Sequence, residues 1–85
     1  MPTTELKFVR HNILGFVLWP RSDKLYHSDV GDLLRRRVGG EILSAGFCNL
    51  VEGFVQCFGE SESLSLGCRK DDSEALAKQL GLKVG

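Results

Sequence analysis

His27 stands at the start of a predicted helix, where an imidazole could carry acid–base or nucleophilic chemistry. The first turn of a helix has unpaired N–H groups and the positive end of the helix dipole, which together can bind an anion. An imidazole with an ordinary pKa of about 6.5 can exchange a proton or attack phosphorus near neutral pH, and Ser28 could add a hydroxyl donor. The same pattern is typical of a polar residue before a helix cap, and Asp29 and Asp32 would partly neutralise the helix end.

Two other segments could complete an anion site. Residues 59–63, Gly-Glu-Ser-Glu-Ser, follow a predicted strand, and small residues there could turn backbone amides toward an anion. A surface loop is the alternative, and Glu60 and Glu62 would repel phosphate unless they point away. Lys7 lies on an alternating strand, where a lysine usually faces solvent, and it becomes relevant only if that strand lies beside His27.

Several other chemistries are excluded by spacing. None of the three cysteines is followed by arginine at the spacing of a cysteine-phosphatase loop, and no G-x-S-x-G segment or glycine-rich nucleotide loop occurs. His11 and His27 are too far apart in sequence to form a helical or hairpin metal pair. We therefore expect neither a metal nor a cofactor.

Composition places the chain among small globular domains. It has 85 residues, with eleven basic and eleven acidic side chains, so its formal net charge is zero. Zero net charge argues against a broad nucleic-acid interface, and no apolar run is long enough for a membrane span. Without a recognisable signal peptide, the odd cysteine count favours reduced thiols. We expect one cytoplasmic domain over residues 1–85, monomeric, with no nucleic-acid or membrane partner.

The pattern predicts an α+β fold of order β-β-α-β-β-α-β, with a single mixed β-sheet and two helices packed against it. Strands are expected at residues 6–10, 13–19, 41–48, 54–58 and 82–84. The first helix starts at a Ser28 or Asp29 cap and ends at Gly39, and the second starts near Asp71 and ends at Gly81. Polar loops are expected at 20–24, 49–53 and 59–67.

The segment Tyr-His-Ser-Asp-Val at residues 26–30 resembles the protein histidine phosphatase family, which includes the fly janus and ocnus proteins. The resemblance continues in order through Leu-Lys-Phe-Val at 6–9, Glu-Ile-Leu-Ser-Ala-Gly at 41–46 and the strand-Gly-x-Ser segment at 55–61. It implies metal-independent dephosphorylation of phosphohistidine, or of phospholysine, in proteins. The partner would be a phosphorylated protein or a phosphate-like anion.

The resemblance also assigns roles to residues. It places the catalytic histidine on His27 and the active-site lysine on Lys7. The phosphate-binding positions that it implies fall on residues of three segments, namely Ser28, Gly46, Ser61 and Ser63.

Two departures from the family bear on activity. Phe47 stands where the family has an arginine, and the serine-rich loop is longer by about two residues and carries two added acids. A lost charge-assisted hydrogen bond of roughly 1.5–3 kcal/mol would weaken phosphate binding about ten- to a hundredfold. Arg10 or Arg21 could compensate.

Two alternatives stay open. One is a module that binds a phosphate or acidic ligand without turning it over, which the loss of the arginine favours. The other is an acylphosphatase-like hydrolase, because Asn49, Gly53, Val55 and Gly59 loosely resemble the asparagine-bearing hairpin of that family.

Overall fold

The computed structural model describes residues 4–21 and 24–84. Part of the loop predicted at residues 20–24 lies outside these residues, as do the two ends of the chain. The elements follow one another as β1 (Thr4–His11), β2 (Gly15–Pro20), α1 (His27–Arg37), β3 (Ile42–Val51), β4 (Phe54–Phe58), β5 (Glu60–Ser61), β6 (Leu66–Gly67), α2 (Asp72–Leu80) and β7 (Lys83–Val84).

Five strands form one mixed sheet in the order β2-β1-β3-β4-β7. Neighbours are antiparallel except β4 and β7, which run parallel. The predicted α+β fold, with one mixed sheet and two helices, is therefore confirmed. The order differs in one place, because the stretch predicted as a serine-rich loop contains the short hairpin β5–β6, in which Glu60 faces Gly67 and Ser61 faces Leu66.

The two helices cover opposite faces of the sheet, because successive side chains of a strand point to opposite sides. Phe8 packs with Leu76 of α2, whereas its neighbour Val9 packs with Val30 and Leu34 of α1. Phe8, Val9 and Leu76 are completely buried. Because Phe8 and Val9 are neighbours on β1, this strand contributes to both cores. Burial of each large apolar side chain stabilises the fold by about 1.5–3 kcal/mol.

The turn between β3 and β4 is shorter than the predicted loop at residues 49–53. Asn49 and the two residues after it continue β3, and only Glu52 and Gly53 form the turn. Both have positive φ, at 25° and 87°. Two such residues suit a two-residue hairpin, in which the turn twists in the same sense as the strands.

His11 has a structural position. Its side chain is buried, and Nδ1 accepts hydrogen bonds from the backbone N–H groups of Ile13 and Leu14, each at 3.1 Å. Nδ1 must therefore carry the lone pair, so Nε2 carries the proton and donates to the carbonyl of Gly39. The imidazole ties the β1–β2 turn to the end of α1.

Within residues 4–21 and 24–84, neither helix has the length and apolar character that a crossing of the lipid bilayer requires.

Candidate functional site

His27 is the first residue of α1 rather than a residue before the helix cap. The N-cap is Tyr26, so the expected cap at Ser28 or Asp29 is wrong. The Asp29 carboxylate, in the first turn of α1, accepts a hydrogen bond from the backbone N–H of Tyr26 at 2.9 Å. This bond satisfies the N–H of the N-cap residue. The sequence pattern gave no sign of this start, because tyrosine is not a common N-cap residue.

The imidazole of His27 is oriented by β3. Its Nε2 lies 2.7 Å from the carbonyl oxygen of Gly46, and because a carbonyl only accepts, Nε2 carries the proton and Nδ1 keeps the lone pair. The rings of Trp19 and Phe47 meet it edge-on, each at 5.4 Å between ring centres. These contacts hold the ring in one orientation.

Burial lowers the pKa of His27, which is 6% exposed. The hydrogen bond to Gly46 opposes this change, and the positive charge of Lys7 adds to it. The net direction is downward, so the imidazole is neutral at neutral pH. A neutral imidazole with a lone pair on Nδ1 can act as a nucleophile or as a base.

Gly46 has a backbone role in this arrangement. A Cβ at this position would lie 2.7 Å from the carbonyl oxygen of Phe58 and 3.2 Å from that of Gly59. Only glycine therefore lets the end of β4 approach β3 this closely. Gly46 does not line the cleft described below, and its contact with the site is the carbonyl that receives the His27 proton.

The β5–β6 hairpin brings two serine hydroxyls to the start of α1. Ser63 Oγ accepts a hydrogen bond from the backbone N–H of Ser28 at 3.3 Å and lies 3.2 Å from Ser61 Oγ. Ser61 is buried and also accepts from the N–H of Leu64 at 3.2 Å. The Ser63 hydroxyl thus takes the place that an anion oxygen could have at the Ser28 N–H, a donor at the N-terminus of α1.

A cleft of about 630 Å³ opens beside His27. The side chains around it come from β1, the start of α1, β3 and the β5–β6 hairpin, and they are Lys7, Tyr26, His27, Phe47, Glu60, Ser61, Glu62 and Ser63. Four residues that the sequence analysis singled out therefore meet in one place, namely Lys7, His27, Ser61 and Ser63. Glu60 and Glu62 add two carboxylates, so the cleft contains more acidic than basic groups.

Lys7 lies beside His27, as an active role requires. On the sheet it stands between Trp19 of β2 and Phe47 of β3. Its Nζ donates to the carbonyl oxygen of Leu25 at 3.0 Å, and the same oxygen accepts from Trp19 Nε1 at 3.0 Å. Lys7 therefore holds the chain segment before α1 while it contributes its charge to the cleft.

Phe47 brings an aromatic wall to the position where an arginine was expected. Its ring stacks on Phe58 at 6.0 Å, and the Arg21 guanidinium lies 4.5 Å from the Phe47 ring centre. Arg21 also pairs with Glu5 at 2.9 Å. These two contacts could not be predicted from the sequence, because Phe58 lies on β4 and Arg21 directly follows β2.

Arg10, the other candidate for compensation, lies elsewhere. It bridges Asp71 and Asp72 at the start of α2, each at 3.0 Å, and its guanidinium packs over Phe16. The hydrogen bond to Asp71 raises the pKa of Arg10 and, reciprocally, lowers that of Asp71. Arg21 is therefore the one of the two that lies next to a cleft residue.

Comparison of the chain with protein-family models, with curated proteins and with solved structures finds no match in any of the three. Its function is accordingly inferred from the chemistry of the cleft.

Proposed function

We propose that the chain is a metal-independent phosphatase that acts on phosphohistidine, or on phospholysine, in proteins, with His27 as its nucleophile. One observation carries this proposal: a neutral imidazole held by Gly46 shares a cleft with Lys7 and the two hairpin serines, Ser61 and Ser63. These groups come from separate parts of the chain. Their combination suits attack on a phosphoryl group and stabilisation of its charge.

The reaction has two steps. Nδ1 of His27 attacks phosphorus while the bond between phosphorus and the substrate nitrogen breaks. The substrate enters protonated, on the second ring nitrogen of phosphohistidine or on the amine nitrogen of phospholysine, and therefore leaves as a neutral imidazole or amine. Water then attacks the phosphoryl group on Nδ1, which releases inorganic phosphate and restores the imidazole. The Gly46 carbonyl accepts a hydrogen bond from the Nε2–H of His27 throughout the reaction. It therefore stabilises the positive charge of the ring while the phosphoryl group is on Nδ1.

Binding of the phosphoryl group requires a local exchange of hydrogen bonds. The Ser28 N–H is a donor at the positive end of α1, and it is held by Ser63 Oγ at 3.3 Å. A phosphoryl oxygen replaces that hydroxyl, while Lys7 supplies the positive charge. The Ser61 hydroxyl, which lines the cleft, supplies the donor on the hairpin side.

The acidic side chains suit a phosphoramidate better than free phosphate. Glu60 and Glu62 line the cleft and oppose the entry of an isolated dianion. A phosphorylated side chain that also holds a protonated nitrogen carries a compensating positive charge, which these carboxylates attract. Phosphohistidine and phospholysine both offer such a nitrogen.

A second candidate is a module that binds a phosphorylated or acidic ligand without turnover. Phe47 favours it, because among the described residues the cleft contains no guanidinium to stabilise a transition state. The acylphosphatase alternative has less support, since Asn49 lies within β3 and not among the cleft residues.

The test is hydrolysis of a phosphohistidine peptide by the wild-type chain and by His27→Gln, whose side-chain amide can still donate to Gly46. Ser65→Ala is the matched control, because Ser65 lies on the same hairpin but outside the cleft. We expect turnover in the wild type and the control, insensitivity to a metal chelator, and at least a hundredfold loss in His27→Gln, on the scale of nucleophile removal. Unchanged turnover in His27→Gln rejects the proposal, and phosphate binding without turnover by the wild type supports the binding module.

A further inference from the structure

The three cysteines gather on the face of the sheet covered by α2. Cys48 and Cys57 face each other across β3 and β4, and Cys68 follows β6. Cys48 is completely buried in the core with Leu76, whereas Cys57 and Cys68 are half-buried against the same core. All three are free thiols, and Cys57 and Cys68 are the two that are partly exposed.

Cys57 precedes the β5–β6 hairpin in the chain, and Cys68 directly follows it. The backbone N–H of Cys68 donates to the carbonyl of Gly59 at 3.0 Å, which closes the base of the hairpin. The side chains of Cys57 and Cys68 also pack against the same buried core, so both thiols lie at the base of the hairpin on one face of the sheet. Between the two cysteines lie the cleft residues of the hairpin, including Ser61 and Ser63.

We propose that Cys57 and Cys68 form a redox modification site, at which a small-molecule disulfide such as oxidised glutathione converts the two thiols into an intramolecular disulfide while Cys48 stays reduced. The Cys68 thiolate attacks the disulfide, forms a mixed disulfide and releases one thiolate. The Cys57 thiolate then attacks the Cys68 sulfur and releases the second. The two protein thiols lose two electrons and two protons, and the small disulfide is reduced to two thiols.

The bond would tie the base of the hairpin covalently. It closes a loop over residues 57–68, which holds Ser63 against the Ser28 N–H at the start of α1. Cross-linking of this kind removes conformations in which the loop opens. The inference does not depend on the phosphatase proposal, because it concerns the thiols and the hairpin whether or not His27 is catalytic.

The environment of the two thiols sets the rate of thiol–disulfide exchange. Burial raises the pKa of Cys68 to about 11 and that of Cys57 to about 12. The negative charge of Asp72 adds to the increase at Cys68. Since only the thiolate attacks, thiol–disulfide exchange is slow at neutral pH. Its rate rises about tenfold with each unit of increase in pH, as long as the pH stays below the pKa of the thiol.

The sequence allows a direct assay of the bond. The folded chain is incubated with oxidised glutathione under mildly alkaline conditions, remaining thiols are alkylated, and the chain is cut at glutamates. Cleavage after Glu41, Glu52, Glu60 and Glu62 puts each cysteine on its own peptide. We expect a linked pair of the Cys57 and Cys68 peptides, with an alkylated Cys48 peptide.

Three serine variants give the controls. Cys48→Ser should form the same bond at an unchanged rate, whereas Cys57→Ser should stop at the mixed disulfide on Cys68. Cys68→Ser should not link Cys48 to Cys57. Amide spectra of each variant check that it is folded. A link that includes Cys48, or complete alkylation of all three thiols in the folded wild type after prolonged incubation, overturns the proposal.

Discussion

The Nε2 atom of His27 lies 2.7 Å from the carbonyl oxygen of Gly46, and this bond connects the first residue of α1 to the middle strand of the sheet. It fixes which ring nitrogen carries the proton and therefore which one can attack. The contact depends on the backbone of β3 staying where it is. That backbone in turn is pressed against the end of β4, where a side chain at position 46 would have no room.

Gly46→Ala should therefore destabilise the fold and disturb the histidine. Its Cβ would lie 2.7 Å from the Phe58 carbonyl oxygen, so strands must shift, at a cost of about 1–3 kcal/mol in the free energy of unfolding. Urea unfolding gives the energy, and the His27 ring signals report the shift. Gly67→Ala is the control, because its Cβ meets only an ordinary contact at 3.6 Å and should cost much less. Equal stability of both variants would contradict the packing argument.

Stability should fall as the pH drops through the ordinary histidine range. Burial lowers the pKa of His27 in the folded state below the 6.5 of an unperturbed histidine. Below about pH 6.5 the unfolded chain binds a proton that the folded chain does not, which favours unfolding. The free energy of unfolding should thus be larger above this range than below it. His27→Gln should show a flatter profile, and an unchanged slope would mean that His27 is not the buried group responsible.

Ser63→Ala should strengthen phosphate binding. It removes the hydroxyl that accepts from the Ser28 N–H at 3.3 Å, so an anion no longer has to displace it. A neutral hydrogen bond contributes about 0.5–1.5 kcal/mol, which corresponds to an affinity gain of about two- to tenfold. Calorimetric titration with inorganic phosphate measures it. Ser65→Ala on the same hairpin should leave affinity unchanged, and weaker binding by Ser63→Ala would show that this hydroxyl is a ligand instead.

Gln79 protects the open edge of the sheet. Its Oε1 accepts from the Phe16 N–H at 2.9 Å and its Nε2 donates to the Phe16 carbonyl at 3.1 Å, so one side chain replaces a neighbouring strand. Gln79→Ala should lower the free energy of unfolding by about 1–3 kcal/mol and promote self-association through β2. Sedimentation at increasing concentration tests this. Lys78→Ala, one residue earlier on α2, should stay at the wild-type oligomeric state, and equal behaviour of the two variants would contradict the edge argument.

Regular elements could be predicted because their patterns repeat over many residues. The apolar spacing of Val30, Leu33, Leu34 and Val38 predicts one buried face of α1. Val30 and Leu34 are buried, whereas Leu33 and Val38 are exposed. Short features escaped prediction for a physical reason. The hairpin β5–β6 has two residues in each strand, too few for a pattern, and its base is closed by the bond between Cys68 and Gly59. The length of β3 was underestimated because Asn49 is typical of turns.

The cleft was predictable in part. The resemblance to the protein histidine phosphatase family, and not the local pattern, predicted that Lys7, His27 and Ser61 share a site, and all three line the cleft. The contacts that decide its chemistry depend on side chains that meet only in the folded chain. Ser63 bonding to the start of α1 is one example, and the edge of the Phe47 ring against His27 is another. Neither has a local sequence signal.

The central claim is that the cleft beside His27 binds a phosphoryl group, and titration of the folded chain with inorganic phosphate, followed by amide NMR, tests it most directly. We expect saturable shifts at Ser28 and Ser61, and their loss in Lys7→Met, which removes the cation of the cleft. Arg36, which lies on the far turn of α1, should not respond in a saturable way. Shifts confined to the arginines of that turn, or no response at Ser28 and Ser61 at any phosphate concentration, would contradict the account.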